Sequence, residues 1–93
     1  MKIVYTPKFD ANIIEIKNYL KANHPVYTKS TLLRIKQRTK DILKNPYLGR
    51  VGRTYGTREI FFNKLPYCMV YKINPNKQEI VLLKIFHTSQ NYP

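Results

Sequence analysis

Within ten residues of this 93-residue chain fall Gly49, Arg50, Gly52, Arg53, Gly56 and Arg58, which include every glycine it has. Arginine's planar fork suits bidentate contact with phosphate or carboxylate, and glycine lets a backbone turn sharply or come close to a ligand. The stretch therefore fits a polyanion, and equally a plain turn with solvated arginines. Arg58 either meets a phosphate or ties Glu59 or Asp41 into a salt bridge. His87 closes a β-like run in which it alternates with Val81, Leu83 and Ile85. An imidazole titrates near neutrality and serves as general acid or base, but this alternation also fits a hydrogen-bonded histidine facing the core. Tyr67, Tyr71 and Tyr92 either stack bases or pack. Cys68 lies in an apolar run, where a cysteine behaves as a small hydrophobe rather than a nucleophile. It shares no metal-site spacing with His24 and His87, so neither metal nor cofactor is expected.

Seventeen Lys and Arg against five acids give a formal charge of +12, a like-charge excess that opposes compaction. Nucleic acid is the first candidate partner, because phosphate neutralisation releases counterions. An acidic protein is the second. A membrane surface fits less well, since no segment sets a sustained apolar face against a basic one without also reading as core. The single cysteine permits a reducing compartment. The N-terminus lacks a signal peptide's apolar stretch and no run is long enough to span a bilayer, so a cytoplasmic protein is expected. With 43% apolar residues the chain has the makings of a core, and its length fits one domain over residues 1–93.

These side chains need a scaffold. Lys2 to Tyr5 is β-prone, and Thr6-Pro7 supplies an N-cap followed by proline at the first helical position. Phe9, Ile13, Ile16 and Leu20 then form a helical stripe that must stop near Asn23-His24-Pro25. A second helix is expected from about Pro25 or Thr28 to Asn45, with Leu32, Ile35, Ile42 and Leu43 inward and most of its lysines and arginines outward. Asn45-Pro46 ends it, and the stretch holding Gly49, Gly52 and Gly56 reads as a loop. Three β-like runs follow, Arg58 to Phe62, Tyr67 to Ile73 and Glu79 to His87, separated by Asn63-Lys64-Leu65-Pro66 and Asn74-Pro75-Asn76-Lys77. The expected architecture is α+β, in the order β-α-α-β-β-β, with a helical hairpin on one face of an antiparallel sheet.

Gly56-Thr57-Arg58-Glu59, Pro66-Tyr67 with Val70-Tyr71-Lys72-Ile73, Leu83-Lys84-Ile85-Phe86-His87 and Gln90-Asn91-Tyr92-Pro93 occur in this order. That series, with the link Asn45-Pro46-Tyr47-Leu48-Gly49-Arg50, resembles the RelE/ParE toxins, many of which read G-T-R-E, P-Y-x-x-V-Y-R, I-x-H and Q-x-W-P. The resemblance covers the whole chain, with Tyr92 where Trp is common and Lys72 where Arg is. It implies the toxin of a bacterial type II toxin–antitoxin module, a fold like the one above, an acidic antitoxin partner, and growth arrest when that partner is lost.

Two targets remain open under the resemblance. RelE-like members cleave mRNA on the ribosome, and ParE-like members poison DNA gyrase without being nucleases. A metal-independent endoribonuclease would use a ribose 2′-hydroxyl as nucleophile. His87 would then be acid or base, Arg58 would stabilise the phosphate, and Arg50, Arg53, Lys84, Tyr67, Gln90 and Tyr92 would hold the RNA. The charge favours ribosome-dependent mRNA cleavage as the expectation. Cys68 stands where such nucleases commonly carry arginine, and Thr88 where a tyrosine often follows the histidine; both substitutions pull toward gyrase. A non-catalytic nucleic-acid-binding module is the third reading.

Overall fold

The computed structural model describes residues 1–89. Chain order gives β1 (Lys2–Tyr5), α1 (Pro7–Asn23), a 3-10 turn (Pro25–Tyr27), α2 (Thr28–Lys44), β2 (Arg50–Val51), β3 (Arg58–Phe62), β4 (Leu65–Asn74) and β5 (Glu79–His87). Thr6 caps α1 as expected. Its hydroxyl accepts from the Phe9 N–H at 3.2 Å and itself donates to the Leu82 carbonyl at 2.8 Å, so the cap also pins α1 to β5. Phe9, Ile16 and Leu20 are buried against the sheet with Ile13 packed beside them.

On α2 the buried stripe is Thr31, Ile35, Thr39 and Ile42. Leu43, expected inward, is exposed, because it lies about 100° around the helix from Ile42. The Thr39 hydroxyl donates to the Lys36 carbonyl at 2.6 Å, which satisfies it inside the core. Arg34, exposed as expected, and half-buried Arg38 also donate to the backbone carbonyls of Asn63 and Phe61 at the end of β3.

The five strands form one sheet in the order β1-β5-β4-β3-β2. Three hairpin-linked pairs are antiparallel, but β1 joins β5 in parallel, Lys2 beside Glu79, so the sheet is mixed. Two helices intervene after β1, and that crossover lets the first strand return beside the last in the same direction. Part of the expected loop is strand: Arg50 and Val51 pair with Glu59 and Arg58.

One irregularity redirects the site. Val70 pairs with Lys84 but Tyr71 pairs with Leu82, so β5 carries Leu83 as an extra residue. Beyond this bulge Asn12 of α1 accepts the Ile85 N–H at 3.1 Å. Ile80, Leu82 and Ile85 consequently share the helix-covered face, with Ile60, Phe62, Tyr67, Met69 and Tyr71 from the neighbouring strands.

Candidate functional site

Pairing across the sheet sorts the candidate residues. On the face away from the helices, one row runs Phe61, Cys68, Phe86 and the next Arg50, Glu59, Val70, Lys84. On the helix-covered face, Arg58 lies beside Tyr71, and His87 lies beside Tyr67. The row of Ile60, Met69 and Ile85 separates those two pairs.

Arg50, Arg53 and Lys84 do come together. Glu59, at 1% exposure, is the hub beneath them. Its Oε2 accepts from the Arg53 backbone N–H at 2.9 Å and from Arg53 Nε at 3.1 Å, and its Oε1 lies 3.8 Å from Arg50 Nη2. Burial would raise this carboxyl. The two Arg53 hydrogen bonds and the charges of Arg53 and Arg50 outweigh burial and hold it below the ordinary glutamate value. The Arg50 guanidinium sits 4.6 Å from the Phe61 ring centre, and Arg53 and Lys84 each reach to 5.8 Å from that of Phe86. Cations and aromatic rings thus alternate over this face. Cys68 is buried between the two phenylalanines, and burial pushes its thiol up to about 11, which leaves it no thiolate for chemistry at neutral pH.

Arg58 is elsewhere. Its Nη1 donates to the Gly49 carbonyl at 2.7 Å and its guanidinium stacks 4.8 Å from the Tyr47 ring centre. The salt bridge considered for it is absent among the described residues: Asp41 pairs with Arg38, and Glu59 with Arg50 and Arg53. The same corner holds Tyr71, whose buried hydroxyl accepts the Gly49 N–H at 2.9 Å and donates to the Pro46 carbonyl at 2.7 Å. Tyr71 is therefore a bolt, not a stacking platform.

His87 occupies the far end of the helix-covered face. It meets Tyr67 edge-on with ring centres 5.6 Å apart, and its Nδ1 accepts the Ser89 N–H at 3.1 Å, with the Ser89 hydroxyl at 2.7 Å. A cleft of about 760 Å³ opens beside it, lined also by Lys8, Asn12, Glu15 and Tyr19 of α1. Tyr67 is buried, which raises its hydroxyl above the ordinary tyrosine value.

Arg58 and His87 are thus not brought together. Their partners Tyr71 and Tyr67 are four residue steps apart on β4, and two strand spacings separate β3 from β5. Their Cα atoms are accordingly about 16 Å apart, with buried Met69 in between. In this arrangement Arg58 is engaged by Gly49 and Tyr47 at one end of the face, and His87 by Tyr67 and Ser89 at the other. Gln90 and Tyr92 lie outside the described residues. The residues that sequence reasoning missed are Glu59 as the hub and Phe61 and Phe86 as the rings beneath the cations. A single acid set among arginines on a strand was the available signal for Glu59. Among the described residues, no three His, Cys, Asp or Glu side chains converge on a metal position.

The profile of the family described as the ParE toxin of the type II toxin-antitoxin system parDE matches residues 3–92. The putative toxin Y4kP of Sinorhizobium fredii is 26% identical over 92 residues, which is 99% of this chain and 93% of that protein. A structure of the chromosomal ParDE system from P. aeruginosa superposes with a TM-score of 0.81 at 20% identity, covering 94% of this chain and 95% of that one. The RelBE2 toxin–antitoxin complex of Mycobacterium tuberculosis gives 0.65 at 16% identity, over 92% and 95%. At these identities the two structures speak for a shared fold.

Proposed function

The chain belongs to the ParE toxin family of type II toxin–antitoxin systems, and from that premise we propose that it arrests growth by inhibiting DNA gyrase, without cutting RNA. The observation that carries this is the separation of Arg58 from His87. General acid–base catalysis of phosphodiester cleavage needs the proton-transfer group within hydrogen-bond reach of a phosphate that cations also grip. Here the half-buried Arg58 is engaged by Gly49 and Tyr47, the outer cations lie on the opposite face of the sheet from His87, and the cleft beside His87 draws its positive charge from Lys8 and not from the arginines. Cys68 and Thr88, where the nuclease branch commonly carries arginine and tyrosine, support the same choice.

The partner that restrains this toxin is, in this proposal, an acidic antitoxin. A groove of about 450 Å³ runs beside α2, floored by Pro25, Leu32 and Leu33 and rimmed by Lys21, Lys29 and Lys36. An acidic helix with apolar residues on one stripe fits that floor and rim, and the charge difference speeds its association. Among the described residues no helix is long and apolar enough to cross a membrane.

Purified toxin titrated into gyrase acting on relaxed plasmid tests the target. Loss of supercoiling in proportion to toxin is expected. Unchanged supercoiling at large molar excess removes gyrase as the target.

A further inference from the structure

We propose that the turn joining β2 to β3 is the surface with which the toxin grips its target protein, and that the segment it takes is a carboxylate flanked by apolar side chains. The proposal rests on the reading above that the target is a protein.

The turn and the residues in and flanking β2 display side chains that folding normally buries. Tyr47, Val51 and Tyr55 are all more than 60% exposed, Tyr55 completely so. They surround one concavity of about 590 Å³, whose wall also contains Arg58, Ile73 and Pro75. Tyrosine and arginine around an apolar centre are the composition of interface hot spots.

Display of this kind is useful only when the platform is rigid, because ordering a floppy loop costs affinity. This platform is tied at several points on both sides of Tyr55. The Gly52 N–H donates to the Thr57 carbonyl at 2.8 Å, and the Thr57 hydroxyl donates to the Thr54 carbonyl at 2.6 Å. Arg53 is held on Glu59, Arg58 on Gly49, and Tyr71 bolts Gly49 and Pro46. Gly52 cannot be replaced cheaply, since a Cβ there would stand 2.3 Å from the Thr57 hydroxyl oxygen and 3.1 Å from its carbonyl. Gly56, at φ +80, takes the left-handed conformation that closes the turn.

Charge selects the occupant. Arg58 meets a carbonyl and a ring but no carboxylate among the described residues, so its charge is available to an incoming acid. Nucleic acid fits the concavity less well. A strand of phosphates needs a track of cations, whereas here Arg53 is already neutralised by Glu59 and the rest of the wall is largely apolar. The denser cationic track, Arg50 and Lys84, lies on the outer face of the sheet.

The test compares wild type with Tyr55→Ala and with Val51→Ser/Tyr55→Ser, both for growth arrest after induction in cells and for supercoiling inhibition. Tyr55 packs against nothing, so its replacement leaves the fold and the melting temperature unchanged, and melting curves check both variants. The single variant is expected to need about tenfold more toxin for the same effect and the double variant more still. Undiminished growth arrest by both folded variants overturns the proposal. If wild type leaves gyrase untouched while the variants still lose growth arrest, only the choice of gyrase falls. Binding of wild type to a labelled single-stranded oligonucleotide that both variants lose in parallel with growth arrest overturns the protein occupant.

Discussion

The groove beside α2 and the turn between β2 and β3 both expose apolar side chains to water, yet they are built in opposite ways. In the groove, Leu32 and Leu33 sit on an ordinary helix and the charge comes from three lysines on long flexible stems. At and beside the turn, Tyr47, Val51 and Tyr55 stand near backbone held by hydrogen bonds at Gly49, Gly52, Arg53 and Thr57, and the charge is one stacked arginine. Lysine rims act over distance and tolerate slack, so they hasten encounter with an acidic partner. A bolted platform forgoes adaptability and keeps its affinity for one shape. Under the proposals above, capture by an antitoxin falls to the helices and recognition of a target to the turn.

The comparison breaks most readily at the bolt. Gly49→Ala would drive a Cβ to 2.7 Å from the Tyr71 hydroxyl and 3.0 Å from the Glu59 carbonyl, in a buried corner with no slack. A loss of about 2–3 kcal/mol is expected, read as a fall in melting temperature of about 10 °C or more. Growth arrest should weaken with it. Tyr71→Phe is the gentler version: it removes the acceptor of the Gly49 N–H and the donor to Pro46. One buried donor left unpaired costs about 1–3 kcal/mol, measurable by urea unfolding. Antitoxin affinity should survive in both proteins wherever they remain folded, because the groove lies on α2.

Glu59→Gln sharpens the same contrast through pH. The folded carboxyl lies below its ordinary value, so the charged form stabilises the fold. That contribution is fully present above the unfolded-chain pKa of about 4.3, and it is lost as pH falls through the lower folded value. Wild type should therefore lose melting temperature on acidification below about pH 4, and the glutamine variant should show a shallower decline over the same window. At pH 7 the variant should be less stable than wild type by about 1 kcal/mol.

The smallest effect on the fold is expected at the groove. Replacing Lys21, Lys29 and Lys36 by glutamine should change stability by no more than about 0.5 kcal/mol. It should nonetheless slow antitoxin association and flatten its salt dependence, as stopped-flow mixing would show.

Much of the scaffold was legible from local chemistry. Thr6-Pro7 starts α1 and the run from Phe9 to Leu20 buries as its spacing implies, and β3 and β5 take the bounds that their apolar runs and turns suggest. Three features were not legible, each because it depends on a partner distant in sequence or on backbone detail. The β-prone residues of β1 say that it is a strand, but not that it lies parallel to β5. Two residues cannot show alternation, so β2 passed for loop. The extra residue at Leu83 shifts the register of β5, so His87 shares its face with Leu82 and not with Leu83. The candidate site divided for the same reason. Arg50 and Arg53 are joined through Glu59 only because the turn folds them onto β3, and Arg58 points to the other side because its neighbour on the strand is that same Glu59.

Pulse-labelling of cells with thymidine and leucine after induction of the toxin tests the central claim most directly. Inhibition of gyrase without RNA cleavage predicts that thymidine incorporation falls first while leucine incorporation continues. Immediate collapse of leucine incorporation, with DNA synthesis declining only afterwards, would contradict it and return His87 to the centre of a nuclease.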